Sequence, residues 1–167
     1  MKLNGLLLFS AAALILSCSN DKDNTEIETE QNSIVGEWQA TELQIDEQTA
    51  SDDAKLGKLV LDFLTARDCV ILTFDFKADL TVTAQDAADY LPPVEGVITG
   101  SGFTCPTESD TTASTYTYDG SVLTTVDENG QTLSIDETID GDIMTVDATD
   151  LNIDNFNDEG QLIFKRI

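Results

Sequence analysis

Three tight-turn dipeptides in close succession, Asp119-Gly120, Asn129-Gly130 and Asp140-Gly141, constrain the fold more than any other feature of this chain. Each stands between short strand-like segments, most of them with apolar residues at every second position, and such a dipeptide between such segments is the strongest local signal for a two-residue hairpin. Residues 114–118, 121–126, 131–139 and 142–151 therefore read as an antiparallel meander. Upstream, 34–46 reads as the first strand, and 69–76 and 80–85 as a hairpin around Lys77, Ala78 and Asp79. A last strand, 161–167, follows the acidic loop 152–160. The helical candidate is capped at Ser51-Asp52-Asp53, carries Leu56, Leu59, Val60, Phe63 and Leu64 at helical spacing, and ends near Arg67. Residues 85–112 hold Pro92, Pro93, Gly96, Gly100, Gly102 and Pro106 and read as a long loop, with 96–104 a candidate edge strand. Closing a sheet removes its exposed edges, so the pattern predicts an all-β, roughly eight-stranded antiparallel up-and-down barrel with one short helix after the first strand. An open sandwich is the alternative.

The N-terminal end speaks to location. Lys2 precedes an apolar stretch, 6–16, that is too short for a stable membrane span. Ile15-Leu16-Ser17-Cys18 then places a small residue directly before a cysteine, and this resembles the bacterial lipobox. The resemblance implies that residues 1–17 are a lipoprotein signal peptide and that Cys18 becomes an acylated N-terminus, carrying diacylglycerol and a fatty acid such as palmitate. An ordinary secretory signal is the plainer alternative. Each buried methylene contributes roughly 0.8 kcal/mol, so two or three acyl chains anchor far more firmly than one. Residues 18–32 are polar and acidic, too poor in apolar surface to fold, and read as the lipidated cysteine with a flexible tether. The charged run from Asp21 resembles the export signals of Bacteroidota surface lipoproteins. The expected location is the outer membrane of a cell envelope, on its periplasmic face or at the surface.

Residues 33–167 are left for one domain, enough for a single hydrophobic core. The chain carries 32 acidic and 8 basic residues and a formal net charge of −24, so its surface repels nucleic acid and anionic headgroups and keeps the protein dispersed. With Cys18 taken by lipid, Cys69 and Cys105 remain as an even pair in an oxidising compartment, which predicts a disulfide.

The first and last strands become informative together. Gly36-Glu37-Trp38 opens the first; a cysteine at Cys69 opens the second, followed by Phe74, Phe76 and Leu80-Thr81-Val82; Cys105 precedes Tyr116 and Tyr118; and Phe164-Lys165-Arg166-Ile167 ends the chain. This order resembles the lipocalin-like domains of Bacteroidota lipoproteins, over essentially the whole of 33–167. The resemblance implies a calycin-type barrel whose tryptophan, matched by Trp38, crosses the closed end, with an arginine of the last strand, matched by Arg166, packed on it. Trp38 as an ordinary core residue is the alternative.

Catalytic machinery is hard to assemble. The chain has no histidine, so it lacks Ser-His and Cys-His nucleophile pairs, and no metal site or cofactor is expected. Nothing in the spacing selects a carboxylate pair for glycoside hydrolysis from 32 candidates, and a carboxylate hydrolase is the weakest reading. The oxygen-rich runs at Asp147, Asp150, Asp154 and Asp158, and at Asp127, Glu128, Asn129 and Gly130, miss the spacing of a calcium loop and read as solvated turns. What remains is the barrel interior. Val70, Leu72, Phe74, Phe76, Leu80, Val82, Val122, Val126, Leu133, Ile135, Leu162 and Phe164 are the candidate lining, and in a narrow barrel they would simply fill it. The expected function is therefore a non-enzymatic, lipid-anchored binding protein for a small apolar or amphipathic ligand. The alternative is a filled barrel whose acidic loops bind a protein or glycan.

Overall fold

The computed structural model describes residues 33–93, 96, 103–126, 130–151 and 158–167. Eight antiparallel strands close in sequence order into a barrel: β1 (Gly36–Ile45), β2 (Leu72–Phe76), β3 (Thr81–Asp86), β4 (Asp110–Tyr118), β5 (Val122–Val126), β6 (Thr132–Asp140), β7 (Ile143–Asp147) and β8 (Gly160–Arg166). One helix, α1 (Asp52–Thr65), follows β1. Every consecutive pair hydrogen-bonds, and β1 with β8 closes the ring.

The closing seam carries a bulge between Ala40 and Glu42. A bulge inserts one unpaired residue and reverses which parity faces inward. Hence Trp38 and Ala40 are buried on even positions and Leu43 on an odd one. On the partner strand Phe164 lies opposite Ala40 and Leu162 opposite Leu43, both buried. The Thr41 hydroxyl donates to the Ile163 carbonyl at 3.3 Å, and Thr65 at the end of α1 donates to the Thr41 carbonyl at 3.0 Å, so the bulge also docks the helix.

Helix α1 begins where the capping residue demands. Ser51 Oγ accepts from the Ala54 N–H at 3.1 Å, and Asp52 and Asp53 occupy the first turn, where the helix dipole favours negative charge. Asp158, just before β8, accepts from the Ser51 N–H at 2.7 Å and from its hydroxyl at 2.6 Å, fixing the helix start to the far end of the chain. The helical stripe is rotated from the expected one: Ala54 and Leu64 are buried and Leu61 packs on the core, while Leu59 is 50% exposed.

The disulfide joins Cys69 to Cys105, with Cα atoms 5.3 Å apart. Strand β4 starts earlier than its sequence suggests, because Asp110 to Thr115 pair with β3. Residues 110–112, expected in the loop, therefore belong to a strand. The candidate edge strand at 96–104 falls largely outside the described residues.

Candidate functional site

The two ends of the barrel differ, and the register shows why. Trp38 pairs directly with Arg166, so both side chains take the inner face at the same end. Trp38 is fully buried, its indole N–H donates to the Ile34 carbonyl at 2.8 Å, and the Arg166 guanidinium carbon stands 4.0 Å from its ring centroid. Arg166 also donates to the carbonyls of Val35 at 2.7 Å and Ser33 at 2.8 Å. The same guanidinium also pairs with the Asp142 carboxylate, Nε to Oδ1 3.5 Å, so this end is closed by a cation–π contact, two charge-assisted hydrogen bonds and an ion pair. Beside it the interior is packed with rings: Phe74 meets Phe164 at 5.3 Å, and Phe76 meets Tyr116 edge-on at 5.1 Å.

Farther along the barrel lies a cavity of about 140 Å³, lined by Phe74, Phe76, Val82, Ala84, Thr112, Ser114, Leu123, Thr125, Val126, Ile135, Met144, Val146 and Leu151. Its lining is almost wholly apolar, since the hydroxyls of Ser114 and Thr125 donate to backbone carbonyls of the wall. The mouth is set by strand lengths. Strand β4 pairs with β5 only from Tyr116↔Thr125 to Tyr118↔Leu123, so the first half of β4 runs on past the end of β5. At that seam Ser114 Oγ donates to the Val126 carbonyl at 3.0 Å, replacing a ladder bond. Val126 is 41% exposed and lines the cavity, which therefore reaches the surface there. Ala84, Val126 and Leu151 lie toward the end of the barrel opposite Trp38.

Of the expected lining, Phe74, Phe76, Val82, Val126 and Ile135 are at the cavity. Leu162 and Phe164 are buried core residues, Leu72 packs against that core, and Leu133 is half-buried away from the cavity. Three expectations are corrected. Val70 is 48% exposed because β2 begins only at Leu72. Leu80 is 52% exposed because it occupies the β2–β3 turn in a left-handed conformation, φ 66°. Val122 faces outward because Leu123, one position on, is the inward residue of β5. Val-Leu-Thr-Thr-Val is apolar on both parities, so alternation alone cannot choose its face. Met144 and Val146 were legible as an alternating pair; Ala84, Thr112, Ser114 and Thr125 carried no apolar signal.

One inward position departs from the apolar rule. Glu137 is only 3% exposed, and both its carboxyl oxygens are buried without a hydrogen-bond partner. It follows Ile135 on the inner face of β6 and pairs with Val146, and both of those line the cavity. Burial pushes the Glu137 carboxyl pKa up, and the facing Tyr118 phenol draws it partly back. The Tyr118 pKa is raised far above its ordinary value, by burial first and by Glu137 second. The two groups face each other without the alignment of a good hydrogen bond.

The surface carboxylates mostly serve turns. Asp147 accepts from the Thr149 N–H and hydroxyl, Asp150 from the Asp136 N–H and Asp158 from Ser51. Asp154, Asp127, Glu128 and Asn129 lie outside the described residues. Among the described residues no three potential metal ligands cluster. No protein-family model matches the chain, and no curated protein matches it.

Proposed function

We propose that this is a lipid-anchored envelope protein whose barrel binds a small apolar molecule, or the apolar part of an amphipathic one. The cavity carries the reading. An apolar cavity of about 150 Å³ stays dry and takes up benzene, so the present volume suits a single ring or a short aliphatic segment. Drug-sized ligands need pockets of roughly 300 Å³ or more, which puts a sterol or a whole fatty acid outside the range of this interior. A lipid on Cys18 would tether the barrel to a membrane through residues 18–32, which join the barrel at Ser33, beside Arg166.

Native mass spectrometry of the protein purified from its own envelope tests the binding. A co-purifying molecule of single-ring size is the expected result. Thermal stabilisation by indole or benzene, lost when Ala84→Phe fills the cavity, is the laboratory counterpart. No bound molecule and no stabilisation by either probe would overturn the reading. The anchor has its own test: Cys18→Ala should move the protein out of the membrane fraction.

The ring cluster of Phe74, Phe76, Tyr116 and Phe164 favours a second reading, a largely solid barrel that presents its acidic loops to a protein or glycan. On that reading Ala84→Phe would leave function intact.

A further inference from the structure

We infer that Glu137 is a pH-operated latch on the barrel wall: protonated, it keeps the β4–β5 hairpin shut, and ionised, it lets that hairpin open locally while the rest of the barrel stays folded. The latch does not depend on whether the cavity binds a ligand.

The inner face of β6 runs Leu133, Ile135, Glu137, Ile139, and the glutamate is the break in an apolar series. Both its carboxyl oxygens are buried without a hydrogen-bond partner. A carboxylate taken out of water with neither cation nor donor in its place is far less stable than the neutral acid, so the closed barrel favours the protonated form. Nothing that faces it supplies a positive charge. Tyr118 on β4 is a neutral phenol, Val146 on β7 and Leu162 behind it on β8 are apolar, and Ser121, opposite Glu137 across the ladder, gives its hydroxyl to Asp119. Asp119, the carboxylate that acts on Tyr118 from the β4–β5 turn, has the same sign as an ionised Glu137.

Position makes the hairpin the part that yields. The Glu137 N–H donates to the Ser121 carbonyl at 3.0 Å and its carboxyl faces Tyr118, the last residue of β4, so one residue of β6 ties down both sides of the β4–β5 turn. The β4–β5 ladder holds three residue pairs, fewer than any other seam of the barrel. Local opening starts where the fewest ladder bonds must break, and an ionised Glu137 regains water by parting from Tyr118 at that seam. Leu123 and Val126 of β5 line the cavity, so the latched hairpin is part of the cavity's own wall.

Native-state hydrogen exchange from about pH 5 to about pH 8, with urea added below the unfolding transition, tests the latch. At the upper pH the amides of β5 should exchange through an opening that urea barely affects, whereas those of the β1–β8 seam should exchange only through the urea-dependent global opening. Protection in β5, corrected for the intrinsic rate, should fall by up to about tenfold per pH unit between the ordinary glutamate value and the raised one, because the open form releases the proton that the closed form holds. E137Q should abolish that fall. Amides of β5 that share the urea dependence of the β1–β8 seam at the upper pH, or a fall that persists in E137Q, would overturn the latch. Should E137Q not fold, the natural protein still decides: the carboxyl carbon-13 signal of Glu137 must titrate above the ordinary glutamate range, and titration within that range would overturn it.

Discussion

Arg166 occupies the space above Gly36. A Cβ built on that glycine would stand 2.5 Å from Arg166 Nη1, and the residue holds φ 139°, a conformation that L side chains rarely adopt. The glycine of the Gly-x-Trp opening is thus the opening through which the arginine of the last strand reaches the carbonyls of Val35 and Ser33. Gly36→Ala should destabilise by about 1 to 3 kcal/mol through backbone strain, with further loss from the displaced guanidinium. Urea unfolding of Gly36→Ala, Arg166→Ala and the double variant checks it. The double should cost less than the sum, since removing the arginine relieves the clash.

Trp38 lies beneath that contact, fully buried with its N–H satisfied. Trp38→Ala should cost about 3 to 5 kcal/mol, the range for deleting a large buried aromatic. Binding of an apolar probe, measured where the variant is still folded, should change little because Trp38 does not line the cavity.

The Cys69–Cys105 bridge spans 36 residues of sequence. Closing a loop of that length is worth about 4 kcal/mol on the chain-entropy estimate. The Cys69→Ser, Cys105→Ser double variant should unfold at correspondingly lower urea, and thiol titration of the natural protein under non-reducing conditions should find neither cysteine free.

Glu137 carries a pH dependence of definite sign. Its pKa is raised on folding by burial, so between the unfolded and folded values the native state holds a proton that the unfolded chain has released. Stability is then greatest below the unfolded value and falls as pH rises through the folded one. Glu137→Gln should therefore raise the urea midpoint near neutral pH and lose that advantage at about pH 4. Asp158 and Asp147 have the opposite sign. Their pKa values are lowered, first by the hydroxyls of Ser51 and Thr149 and then by the N–H groups of the same residues, so what they contribute is present above the ordinary carboxylate range and is lost on acidification. Equilibrium unfolding across pH in the natural protein and Asp158→Asn separates the two effects: the variant should lose stability above about pH 5 and converge with the natural protein in acid.

Much of the architecture was readable from residues alone. Asp119-Gly120 and Asp140-Gly141 mark turns that the chain takes with the glycines at φ 104° and 60°, and Ser51 caps the helix that its sequence announces. These signals are local: a turn or a cap is satisfied within four residues, so the residues themselves contain the whole reason. The Cys69–Cys105 bridge is not local in that sense, and its expectation rested on setting Cys18 aside for lipid.

Tertiary structure alone decided what depends on register. The bulge at the β1–β8 seam reverses inward parity between Ala40 and Leu43, and no residue there announces it. On β5 both parities are apolar, and only the partner strands make Leu123 the inner residue and Val122 the outer. The cavity is bordered by small and hydroxylated side chains at Ala84, Thr112, Ser114 and Thr125, which the pairing of β3, β4 and β5 brings side by side, a relation between strands that no single strand encodes. Glu137 was one carboxylate among 32 until closure of the sheet turned it inward, where the absence of water makes its charge matter.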